Sequence, residues 1–152
     1  MIRFFDASAL VKRYVREKGS ETVERLLAAG SPAMSRLSEA ELASALARRA
    51  RLGDCSVRER DRMLVAMESD LASFLVVEVV PAVTARARGL LNAYALRASD
   101  AIQLASCLHL RARLDRDVPF VAYDERLAAV ARGTGATVLG VADPPDRGID
   151  GH

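Results

Sequence analysis

The chain has 152 residues, 51% of them hydrophobic and 28% charged, which excludes an intrinsically disordered chain and describes one globular domain. At this length folding buries about two-thirds of the surface that the unfolded chain exposes, so disulfide or metal staples are not required. Lys plus Arg number 22 against 20 Asp plus Glu, a net charge of +2, so no global field marks a non-specific nucleic-acid binder.

Taken in chain order, short apolar runs expected as strands fall at 2–5, 32–35, 74–80, 119–123 and 136–141. Segments of helical period lie between them at 8–17, 20–29, 38–51, 57–71, 82–94, 99–114 and 125–132. Alternation of this kind predicts an α/β fold in three layers, α/β/α, around a parallel sheet of about five strands. The third run, Phe74-Leu-Val-Val-Glu-Val-Val80, is almost continuously apolar, as expected of a strand covered on both faces. Ala43, Leu46, Ala47 and Ala50 form the stripe of a core-facing helix. Gly30 and Gly53 fall just past helix ends, and Pro81 sits at a helix start. The domain is expected over 1–142, followed by a flexible Pro/Gly/Asp-rich tail over 143–152.

Residue supply narrows the chemistry. Cys55 and Cys107 form no CxxC pair, which argues for a reducing compartment and against a disulfide framework. His109 and His152 are the only histidines, so zinc sites and histidine-assisted nucleophiles are poorly supplied and catalysis must rest on carboxylates. Arg3, Asp6, Lys12 and Arg13 interrupt any signal-peptide core, and no apolar run approaches the ~20 residues that span a bilayer. A cytoplasmic protein without a membrane partner is expected.

Four acids fall at element junctions. Asp6 directly follows the first strand and Asp124 the fourth, so both would face the crevice at the carboxyl edge of the sheet if those strands are neighbours. Glu41 and Asp100 lie in the first turns of helices that would start above the same edge. Four carboxylates there require counter-charge, and Mg²⁺ or Mn²⁺ with its preference for oxygen ligands would supply it. Taken singly, each acid also has a local explanation. Ser38-x-x-Glu41 reads as a capping box, Asp100 suits a helix dipole, and Asp6 and Asp124 suit N-caps.

In combination, these segments resemble a known family. Phe5-Asp6-Ala7-Ser8-Ala9-Leu10-Val11-Lys12, Ser38-x-x-Glu41-Leu42-x-x-Ala45-Leu46, Leu96-Arg97-Ala98-Ser99-Asp100-Ala101-Ile102-Gln103-Leu104-Ala105 and Val121-Ala122-Tyr123-Asp124-Glu125-Arg126-Leu127 occur in the order and at the intervals of PIN-domain ribonucleases of the VapC toxin type. The resemblance implies that Asp6, Glu41, Asp100 and Asp124 form the catalytic metal site. With Mg²⁺ or Mn²⁺ such a site hydrolyses RNA phosphodiester bonds, because a bound metal lowers the pKa of its water and stabilises charge on phosphate oxygens. Ser8 would support the site by hydrogen bonding to a carboxylate or to a water on the metal. The resemblance also implies a homodimer and inhibition by a cognate VapB-type antitoxin. Two positions depart from the pattern: Ala122 stands where many relatives carry Thr or Ser, and Gln103 where His is frequent.

Arginine dominates the cations, since Lys12 and Lys18 are the only lysines. Lys12, Arg13 and Arg97 lie nearest the expected crevice and are the candidates for substrate phosphate contact. The arginines between Arg48 and Arg62 read either as an RNA-tracking surface or as a solvated helix face. Leu26, Leu27, Leu64 and Met67 read as core packing or as a groove for a partner helix. Two other readings remain open. A haloacid-dehalogenase-like phosphatase also places Asp after its first strand, but needs a second Asp where this chain has Ser8. A PIN-like scaffold that binds RNA without cutting it is the other.

Overall fold

A computed structural model describes residues 1–140; the expected tail over 143–152 lies outside them. Five strands, β1 (Ile2–Phe5), β2 (Ser31–Ser35), β3 (Leu75–Val77), β4 (Phe120–Ala122) and β5 (Val138–Gly140), form one parallel sheet in the order β3-β2-β1-β4-β5. The helices are α1 (Ala7–Tyr14), α2 (Ser20–Ala28), α3 (Leu37–Arg51), α4 (Val57–Ser73), α5 (Pro81–Ala93), α6 (Ala98–Leu114) and α7 (Glu125–Gly133). The three-layer α/β/α architecture is therefore as expected.

Side-chain alternation along the strands builds the two cores. Phe4, Phe120 and Ala122 point to the side of α5, α6 and α7, where they meet Val83, Leu104 and Leu127. There the Phe4 and Phe120 rings stack with centroids 5.9 Å apart. Phe5, Met34 and Val121 point the other way, onto Leu10, Val23, Leu42 and Met67 from α1 to α4. Leu27 and Met67 are buried in this second core, and Leu26 and Leu64 pack against it partly exposed. Cys107 is buried and its thiol is pushed up to about 12, chiefly by burial, so it is chemically inert.

Three local expectations are corrected. The third strand is short and lies at the sheet edge, with Leu75 40% exposed and Val79 and Val80 outside the strand. Phe74 is used as the C-cap of α4, and the chain turns at Glu78 before Pro81 opens α5, so of this strand only Val76 and Val77 reach the two cores, one on each face. The first helix ends at Tyr14 rather than residue 17. Ser20 Oγ accepts from Glu17 N–H and donates to the Val15 carbonyl, which draws the chain into α2 instead. On α3 the fully buried positions are Ser38, Leu42 and Leu46, with the predicted Ala43, Ala47 and Ala50 only half-buried beside them.

The turn before α2 depends on Gly19, which has φ +95°. A Cβ there would lie 2.8 Å from the Tyr123 ring, in a backbone region that L side chains avoid. Gly19→Ala is expected to destabilise the protein by about 1–3 kcal/mol, read as a lowered urea midpoint; an unchanged midpoint would show that the ring moves aside freely.

Candidate active site

The strand order reverses between β1 and β4: the chain builds outward to β2 and β3 on one side and to β5 on the other. Crevices at such switch points open at the carboxyl ends of the strands. Phe5 pairs with Val121, and Asp6 N–H bonds the Val121 carbonyl, so Asp6 stands at the mouth of this crevice with Asp124 two residues past the end of β4.

Two of the acids do serve as helix caps. Asp6 caps α1, its Oδ1 accepting from Ala9 N–H at 3.0 Å and from Ser8 Oγ at 2.6 Å. Asp124 caps α7, its Oδ1 accepting from Leu127 N–H at 2.9 Å. The capping box expected of Ser38 and Glu41 does not form. Ser38 lies inside α3 rather than at its cap, and both side chains accept from Gln103 Nε2 on α6, Glu41 Oε1 at 2.8 Å and Ser38 Oγ at 2.9 Å. Asp100 sits in the first turn of α6, as the sequence predicts.

A common pattern joins three of the acids. In Asp6, Glu41 and Asp124 one carboxylate oxygen is held by protein donors, while the other takes no hydrogen bond among the described residues. None of the four acids is in an ion pair there either. Burial and mutual repulsion show in the acidities of Asp6, Glu41 and Asp100. Asp6, 3% exposed, is pushed up to about 7 by burial, against the pull of its bonds to Ser8 and Ala9 and reinforced by the charges of Glu41 and Asp100. Glu41 is raised by burial and by Asp100, opposed by its bond from Gln103. Asp100 is raised by burial and by Asp124, opposed by Arg97 and Arg126. The four acids are thus electrostatic neighbours in sequence around the crevice. Among the described residues, however, no three His, Cys, Asp or Glu side chains stand close enough together to grip one ion as they are.

Ser8 occupies the expected supporting position. Its hydroxyl donates to Asp6 and accepts from Tyr123 N–H at 3.0 Å, tying the end of β4 to the β1 acid. A serine at position 8 provides no acid/base group of the kind a phosphatase of the dehalogenase type needs.

The predicted substrate contacts divide. Arg13 is engaged elsewhere: its Nε and Nη2 donate to Asp70 at 2.6 and 3.0 Å, joining α1 to α4. Lys12 donates to Glu17 at 3.2 Å and to the Lys18 carbonyl at 2.8 Å, and lies 4.6 Å from the centre of the Tyr123 ring. Both side chains therefore hold the structure together. Arg97 is exposed, in no ion pair among the described residues, and near enough to Asp100 to oppose the rise in its pKa. Arg126, on the first turn of α7, acts on Asp100 in the same way and was not singled out in the sequence. Its position, two residues after the last acid, was the available signal. Within the arginine-rich segment, Arg49 pairs with Glu17 at 2.9 Å across the fold and Arg60 with its neighbour Asp61 at 2.9 Å.

A five-stranded parallel sheet with carboxylates along its carboxyl edge is the layout of a PIN domain, and the PIN domain family matches residues 3–133. Ribonuclease VapC45 of Mycobacterium tuberculosis (strain CDC 1551 / Oshkosh) is 35% identical over 136 residues, which cover 89% of this chain and 92% of that protein. The chain belongs to the PIN-domain family and, within it, to the VapC-type ribonucleases. Solved structures agree in fold. A toxin-antitoxin complex from Klebsiella pneumoniae aligns with a TM-score of 0.66 at 17% identity, covering 93% of this chain and 98% of that one. Mycobacterium tuberculosis VapC20, a sarcin-ricin loop cleaving toxin, aligns with a TM-score of 0.62 at 19% identity, covering 85% and 94%.

Proposed function

We propose that this protein is a Mg²⁺- or Mn²⁺-dependent endoribonuclease that acts in the cytoplasm as the toxin of a toxin–antitoxin pair. The observation that carries the reading is the set of carboxylates with one anchored and one free oxygen, charged against one another and paired with no cation among the described residues. An all-oxygen donor set of this charge fits a hard divalent ion. Asp6, Glu41 and Asp100 would hold it once their side chains swing together from the positions they now take, with Asp124 at the exposed rim. When bound, the ion would supply an activated water and neutralise charge developing on the phosphate. Asp6, Glu41 and Asp124 orient their free oxygens through the bonds from Ser8, Ala9, Gln103 and Leu127. Arg97 and Arg126, whose charges act on Asp100, would receive the phosphate of an RNA substrate. By its kinship the protein takes a VapB-type antitoxin as partner and forms a homodimer.

The test is cleavage of RNA by purified protein. Activity is expected with Mg²⁺ or Mn²⁺, none in EDTA, and at least about 100-fold less in Asp100→Asn with an unchanged circular dichroism spectrum. Full activity in Asp100→Asn would remove the metal-site assignment.

A further inference from the structure

Gln103, the donor to Glu41, is itself enclosed beside the acids at 2% exposure. Asp100 and Gln103 are one helical turn apart on α6, and Ser38 and Glu41 one turn apart on α3, so each pair lies on one face of its helix. A single nitrogen, Gln103 Nε2, bonds both members of the α3 pair. The amide cannot be reversed without setting Oε1 against the Glu41 carboxylate, two acceptors face to face. The orientation that serves Glu41 leaves Gln103 Oε1 buried with no partner among the described residues. An unpaired buried acceptor is destabilising, and a leucine or methionine would fill the same space without one. The amide is therefore explained by what its nitrogen does to Glu41 rather than by packing.

We infer that Gln103 is a positioning residue: it clamps Glu41 Oε1 to the helix that carries Asp100, so that Glu41 Oε2 is the oxygen presented to the cation and the spacing of Glu41 from Asp100 is fixed. This rests on the metal-dependent reading above. Groups of this kind, which hold a ligand without touching the metal, typically change affinity by 10–100-fold when removed.

The experiment titrates metal-free protein with Mn²⁺ alone, followed by calorimetry or by the spin-resonance signal of free Mn²⁺, for wild type, Gln103→Met, Gln103→Leu and Gln103→His. The two apolar variants keep the volume and lose the donor; histidine restores an N–H. The expected result is binding weakened about 10–100-fold in Gln103→Met and Gln103→Leu, with Gln103→His within about threefold of wild type. Wild-type affinity in a folded apolar variant overturns the clamp, as does a Gln103→His protein as weak as Gln103→Met. Should neither apolar variant fold, Gln103→His decides: wild-type affinity supports the clamp and a tenfold or greater loss overturns it. If wild type itself binds no Mn²⁺, the metal-dependent reading fails on its own. The clamp is then judged from urea unfolding of Gln103→Met, Glu41→Gln and the double variant, with non-additive effects supporting it and additive ones overturning it.

Discussion

Asp6→Asn is expected to abolish RNA cleavage and, in the same protein without metal, to raise stability at pH 8. The two effects have one origin. Asp6 is almost fully enclosed, and burial together with the charges of Glu41 and Asp100 pushes it up to about 7 from an ordinary value of 3.8. Its folded pKa is raised, so the fold favours the protonated carboxyl. The favourable contribution is complete below about pH 4 and is lost as the pH rises through about 7. The difference between the two pKa values corresponds to a stability loss on the order of 4 kcal/mol across that window. Asparagine cannot ionise, and its Oδ1 can still accept from Ala9 N–H and Ser8 Oγ, so the helix cap survives. Urea unfolding in EDTA should therefore show the variant more stable than wild type at pH 8 by up to about 4 kcal/mol, the two curves converging toward pH 4. Saturating Mg²⁺ should return stability to wild type and leave the variant unchanged, since binding to the folded state alone stabilises it. A variant less stable than wild type at pH 8 would show that Asp6 carries no uncompensated charge.

Asp70→Ala is expected to do the opposite, costing stability while sparing the chemistry. Asp70 is buried between α1 and α4 and accepts three bonds: two from Arg13, and one of 2.6 Å from the Tyr14 hydroxyl. The Tyr14 phenol is held well above its usual range, first by burial and then by Asp70. Breaking a fully buried ion pair costs roughly 3–5 kcal/mol. The Arg13 side chain is 36% exposed and can turn toward water, which reduces the expected loss to about 2–3 kcal/mol. For a chain of this size that is a fall in Tm of about 5–10 °C. At 25 °C the folded protein should keep its kcat/KM, because Arg13 is engaged with Asp70 rather than with the substrate. A large fall in kcat/KM in thermally intact Asp70→Ala would return Arg13 to the phosphate-contact role.

How far the site could be read from sequence depended on how local the cause was. Asp6 and Asp124 were legible because each directly follows a short apolar run, and the pairing of β1 with β4 then placed both at the switch point. Asp100 was legible as a first-turn acid. Glu41 was found, but its local explanation was not the operative one. The spacing of Ser38 and Glu41 fits a capping box, whereas α3 begins two residues earlier than that box requires and Gln103, 62 residues away from Glu41, takes both side chains. The engagement of Arg13 was hidden for a similar reason: its partner Asp70 is 57 residues away. The third strand shows the limit for folds. Its apolar run predicts burial on both faces, and its edge position leaves Leu75 exposed.

By itself, the sequence determined the alternation of strands and helices, the poverty in histidine and cysteine, and the placing of four acids at element junctions. These follow from side-chain type and from periods of two and 3.6 residues, which act over a few neighbours. Only the tertiary structure decided which oxygen of Asp6, Glu41 and Asp124 is free, which cations are already spent, and that Gln103 holds Glu41. Hydrogen bonds and ion pairs reach only about 3 Å, so their partners are chosen by how the layers pack, and no local pattern announces a neighbour brought in from across the fold.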